Sequence, residues 1–136
     1  MKQLLIICIL LFNIELYAQN SLYVAFQPCD LGVGLRYDYQ PKQLGLYSSI
    51  AYGNYRVNPK TYVNDHIKTS LGFLYEGYSL GINYHQFGKT VGKYPKNTFK
   101  PISFELGCKV FINRFCTALR FDPIKFEGTW DVGFSF

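Results

Sequence analysis

Two histidines, four cysteines and a group of lysines are the side chains of this chain with the most obvious capacity for chemistry. His85 lies in "YSLGINYHQ", where strict alternation puts it on the polar parity near the end of a strand. A histidine held between a serine and an acid would make a hydrolase or an acyltransferase. The expected cross-strand neighbour of His85 is Lys68, a poor companion for a general base, and no serine is placed to pair with it. It therefore reads as a hydrogen-bonded interior histidine, and no catalytic residue is assigned. His66 follows Asp65 at the end of a polar segment and reads as a loop residue. Leaving aside Cys8, the cysteines are Cys29, Cys108 and Cys116, an odd number that leaves one thiol unpaired. Cys108 and Cys116 fall on adjacent strands but on opposite parities, which argues against a bridge. Neither histidine has metal-ligand spacing to them, so neither a metal nor a cofactor is expected.

The elements that must position these residues begin after an export signal. "MKQLLIICILLFNIELYAQN" has one basic residue, an apolar run from Leu4 to Phe12 and a small residue at Ala18. This is the pattern of a cleaved secretory signal, residues 1–18, ahead of a single domain, residues 19–136. The apolar run is far shorter than the ~20 residues of a spanning helix. Twelve Tyr and twelve Phe are present, and only Phe12 and Tyr17 lie in the signal. So many aromatic residues in so short a domain need either a large core or a membrane interface.

Period-two alternation bounded by turn residues marks eight strands, at roughly 21–27, 31–39, 44–53, 67–75, 78–86, 101–110, 115–121 and 126–136. In "LGVGLRYDYQ" one parity is Leu, Val, Leu, Tyr, Tyr and the other Gly, Gly, Arg, Asp, Gln. An even number of antiparallel strands suits a closed up-and-down barrel. Connections after strands two, four and six are short and those after three and five are long, as a membrane barrel requires, while the short "PCD" and "DPIK" after strands one and seven depart from that pattern. Closing strands four and five on Glu76-Gly77 sets Tyr75 opposite Tyr78, Gly72 opposite Gly81 and Lys68 opposite His85. Closing six and seven on Ile112-Asn113 brings Glu105 to Arg120, and closing the last hairpin over "DPIK" brings Glu127 to Arg120 from the other side. Luminal ion pairs among Glu105, Arg120 and Glu127 are the expectation. Burial raises the stakes, because a buried charge without a partner costs about 3–5 kcal/mol.

The last strand, "TWDVGFSF", ends on Phe136. With the eight alternating strands and the signal, it resembles the small outer-membrane barrels of the OmpX and OmpA transmembrane-domain type, over residues 19–136. The resemblance lies in architecture and in the terminal aromatic, and the outer loops are shorter than that type carries. It implies an all-β, eight-stranded antiparallel up-and-down transmembrane barrel in the outer membrane of a bacterium with two membranes. Its expected surroundings are outer-membrane lipid and lipopolysaccharide, and its expected state is a monomer.

The connection "FGKTVGKYPKNTFK" carries Lys89, Lys93, Lys96 and Lys100 without an acid, and supplies much of the net charge of +5. At an anionic headgroup surface each Lys or Arg gains about 1 kcal/mol, a cytoplasmic-leaflet value applied here to lipopolysaccharide phosphates. The same lysines, with Tyr94 as a stacking platform, could bind an anionic surface ligand. Nucleic acid is excluded as a partner by the export signal. The leading expectation is a non-enzymatic barrel with a plugged polar lumen that contributes to envelope structure or meets ligands through short basic loops. A lipid A-modifying enzyme, a narrow pore and a soluble lipocalin-like binder are the alternatives.

Overall fold

The computed structural model describes residues 20–27, 32–58, 61–88, 90–91 and 100–136, without the side chains of 55–58, 61–64 and 90–91. The expected signal, Cys29, Lys89, Lys93, Tyr94 and Lys96 lie outside the described residues. The strands are β1 (Ser21–Gln27), β2 (Gly32–Tyr39), β3 (Leu44–Asn58), β4 (Thr61–Tyr75), β5 (Tyr78–Gln86), β6 (Thr90–Val91), β7 (Ile102–Ile112), β8 (Phe115–Asp122) and β9 (Glu127–Ser135). Eight of them form one antiparallel sheet in the order β3-β2-β1-β9-β8-β7-β5-β4, and β3 pairs with β4 to close it. The fold is an eight-stranded up-and-down barrel. The two-residue β6 joins only the far end of β4.

Burial alternates residue by residue along the strands, as in the BeBeBeB pattern of β1 and the eBeBeBeBe pattern of β5. The interior takes the polar parity and the exterior the apolar one. Arg36, Asp38, Glu105, Asp122 and Asp131 are all at most 1 % exposed, whereas Leu71 and Phe73 are 69 % and 68 % exposed. A barrel of eight strands is just wide enough to be filled by its own side chains. Gly72 and Gly81 show how the space is found. They face each other across β4 and β5, and a Cβ on either would collide with the Tyr47 ring or hydroxyl. The bare pair is the niche that lets this tyrosine reach across the lumen.

The β4–β5 register matches the sequence expectation at every pair named, with the turn at Glu76-Gly77. Three expectations are corrected. Residues 54–58 and 61–66, expected as parts of a long loop, instead continue β3 and β4 as paired strands past the end of β2, with register shifts at Gly53/Tyr55 and Arg56/Asn58. Tyr55 and Val57 alternate with Asn54, Arg56 and Asn58, but Pro59 and the polar run Asn64-Asp65-His66 read as loop. The β7–β8 turn is Asn113-Arg114, with Ile112 opposite Phe115 and Gly107 opposite Arg120. Asn113 takes φ 58°, a left-handed conformation that asparagine tolerates better than most residues. In the last hairpin Glu127 pairs with Asp122, and Arg120 faces Thr129. Both hairpins are displaced by two residues from the expected register, so every side chain keeps its face while its neighbours change.

Candidate functional site in the barrel interior

The alternation of β2, β3, β4, β7, β8 and β9 delivers one charged network to the middle of the lumen. Arg36 donates from Nε to Asp38 Oδ1 at 2.6 Å and from Nη1 to Asp131 Oδ2 at 2.9 Å. Its guanidinium lies 4.5 Å from the Tyr47 ring centroid and 5.2 Å from that of Tyr23. Arg120 grips Asp131 with two bonds, Nε to Oδ2 at 2.7 Å and Nη2 to Oδ1 at 2.8 Å. It also donates from Nη1 to Glu105 at 2.7 Å and to Ser49 at 3.0 Å. Glu105 further accepts from the Tyr47 hydroxyl at 2.7 Å and pairs with Lys68 at 3.0 Å. Lys109 reaches Asp38 at 3.3 Å.

Alternation puts Asp131 on the interior parity but does not identify it as the partner of Arg120. Asp131 bridges the two arginines and occupies the position beside Arg120 that Glu127 was expected to hold. Glu127 lies nearer the long-loop end, across from Asp122. Interior cations Arg36, Lys68, Lys109, Arg120 and Lys125 are matched in number by Asp38, Glu105, Asp122, Glu127 and Asp131 among the described residues. Toward the short turns the buried side chains include the apolar Leu74, Phe111 and Cys116 beside Gln40 and Ser135.

Toward the long loops the interior carries a second layer. His66 is a buried strand residue of β4, not a loop residue, and its Nε2 meets His85 Nδ1 at 2.9 Å. The two rings lie within 1° of one plane at a centroid separation of 5.1 Å, so they meet edge to edge along the hydrogen bond. His85 Nε2 lies 2.7 Å from Ser103 Oγ, and Ser103 in turn donates to Asp122. Asn83 Nδ2 donates to Asp122 at 3.1 Å and to Ser103 at 3.3 Å. Ser103 is therefore the serine that sequence reasoning missed. It sits on β7, whose register with β5 puts it opposite Asn83, and no local pattern ties residue 103 to residue 85.

The direction of the protons decides what this layer can do. A carboxylate only accepts, so the single hydroxyl proton of Ser103 goes to Asp122. With both imidazoles neutral, His85 then donates from Nε2 to Ser103 and accepts at Nδ1 from His66. An activated serine needs the reverse, a bare imidazole nitrogen facing its hydroxyl. Ser103 and His85 are also at most 1 % exposed. The geometry is that of a buried polar network whose serine proton is directed away from the histidine.

Cys108 faces outward and Cys116 inward, both as free thiols. Lys100, beside the start of β7, is exposed. Among the described residues no group of three or more His, Cys, Asp or Glu could hold a metal ion. No family model, characterised protein or solved structure matches this chain.

Proposed function

We propose that the chain is a closed, non-enzymatic barrel that spans an outer membrane and contributes to envelope structure or to surface interactions through its basic long-loop end. The observation that carries this reading is the facing of the barrel. Its exterior is a continuous belt with aliphatic residues such as Leu35, Ile50, Leu80, Leu106 and Leu119 in the middle, all more than half exposed. Tyr39, Tyr75, Tyr78, Phe115 and Phe134 ring the short-turn end, and Phe26, Tyr52, Tyr84, Phe121 and Trp130 ring the other. An aliphatic band between two aromatic girdles is what a transmembrane barrel presents to lipid. In water each such residue would forgo roughly 1.5–3 kcal/mol of burial, and a belt this extensive exceeds the patches of soluble monomers. A soluble lipocalin-like binder needs the opposite facing, with an apolar cavity inside. The filled, self-paired lumen disfavours a pore, and the proton pattern at Ser103 disfavours a hydrolase.

The protein is expected to leave the membrane only with detergent and to migrate faster on a dodecyl sulfate gel before boiling than after it, because a closed sheet resists unfolding by the detergent. Recovery in a soluble fraction without detergent would end the bilayer reading. A second test addresses the lysines. Replacing Lys89, Lys93, Lys96 and Lys100 with glutamine should lower the melting temperature in bilayers containing lipopolysaccharide and leave it unchanged in neutral detergent, since each lysine gains about 1 kcal/mol from anionic groups. Equal melting temperatures in the two media, with loss of salt-sensitive binding to an anionic polysaccharide, would shift the loop's role to ligand recognition.

A further inference from the structure

The turn between β8 and β9, residues 123–126, departs from the polar character of the other short connections. Ile124 is 45 % exposed and Phe126 is 80 % exposed, more than any other large hydrophobic side chain described. Phe126 also adopts φ 55°, a left-handed conformation that is unfavourable for a bulky residue and free for glycine. The turn is nonetheless firmly held. Asp122 Oδ1 accepts from the backbone N–H of Ile124 and of Lys125, each at 2.9 Å. Lys125 turns inward, its Nζ 5.1 Å from the centroid of Phe87. Phe126 turns outward and meets the ring of Phe121 edge-on at 6.2 Å.

In water this turn would combine two disadvantages, a strained backbone and a bare aromatic ring, and a glycine at 126 would remove both. Phe121 belongs to the long-loop aromatic girdle, so the Phe126 ring continues that girdle outward by one residue. We propose that Phe126 and Ile124 form an interfacial anchor, a rigid apolar wedge that enters the boundary between lipid headgroups and acyl chains and fixes the depth of the barrel at its long-loop end. The partner is the lipid boundary because the wedge is continuous with the apolar belt, and the inference rests on the bilayer reading above. Aromatic side chains favour that boundary.

The test uses the full chain refolded into phosphatidylcholine vesicles, with Phe126→Trp in a Trp130→Phe background. Lipids brominated near the headgroup should quench the new indole several-fold more than lipids brominated at the chain end, and aqueous iodide should quench it several-fold less than free tryptophan. Ile124→Trp in the same background should report the same shallow depth, which keeps the test usable if residue 126 does not tolerate the indole. Strong iodide quenching without any bromolipid effect would overturn the anchor and leave the wedge exposed to a protein partner. Trp130 of the unmodified chain separates the two ideas. If bromolipids quench Trp130 but not either turn indole, the anchor fails while the bilayer reading stands; if Trp130 is not quenched, both fail.

Discussion

Asp131→Asn should destabilise the refolded barrel by about 3–5 kcal/mol, the range for removing one partner from a buried ion pair. Asp131 is the shared acceptor of Arg36 and Arg120. Without its charge two buried guanidinium groups lose the acceptor they share. Arg120→Met should cost less, because Glu105 keeps Lys68 and the Tyr47 hydroxyl, and Asp131 keeps Arg36. The central layer holds Arg36, Lys68, Lys109 and Arg120 against Asp38, Glu105 and Asp131. Losing an arginine balances that layer, and losing an aspartate widens its excess of positive charge. The double variant Arg120→Met/Asp131→Asn should therefore be more stable than Asp131→Asn alone, a coupling that a double-mutant cycle isolates. Urea titration of the protein in vesicles, followed by Trp130 emission, reads all three. An Asp131→Asn midpoint close to that of the unmodified protein, or a larger loss from Arg120→Met, would count against this account of the network.

Gly133→Leu should largely prevent the barrel from closing, while Gly128→Ala should leave it within about 0.5 kcal/mol of the unmodified protein. Both glycines lie on β9, so the comparison holds the strand constant. Gly133 pairs with Tyr23 at the β1–β9 seam, where the first and last strands meet. A Cβ there would sit 2.7 Å from the Tyr23 Cα and 2.8 Å from the Leu22 carbonyl carbon. These are backbone atoms, which cannot swing aside as the end of a side chain can. Overpacking of this kind typically costs 1–3 kcal/mol for an added methylene or so, and leucine adds a whole branched side chain. Nothing lies within 4 Å of the equivalent point at Gly128. The fraction of protein in the fast-migrating unboiled band measures the outcome. A normal folded fraction for Gly133→Leu would show that the seam has slack that this geometry lacks.

The chain by itself determined which side chains face in and which face out, because alternation along a strand is a local property with a period of two. Arg36, Asp38, Glu105, Arg120 and Asp131 lie on one parity, and their burial follows from the closure of eight such strands. The β4–β5 register was also legible, since Glu76-Gly77 is a two-residue turn with glycine in place. Neighbours across the later hairpins were not. A slip of two residues leaves every apolar and polar side chain on its proper face, so alternation cannot tell Asp131 from Glu127 as the partner of Arg120. Tertiary structure decided it through the left-handed turn at Asn113 and the four-residue turn held by Asp122. It alone also brought Ser103 and His66 to the two nitrogens of His85, because those contacts cross three strands and no spacing along the chain encodes them. The length of β3 and β4 was hidden for a related reason. Past the end of β2 that hairpin is held as sheet by pairing between its own strands and with β6, contacts that no local period announces.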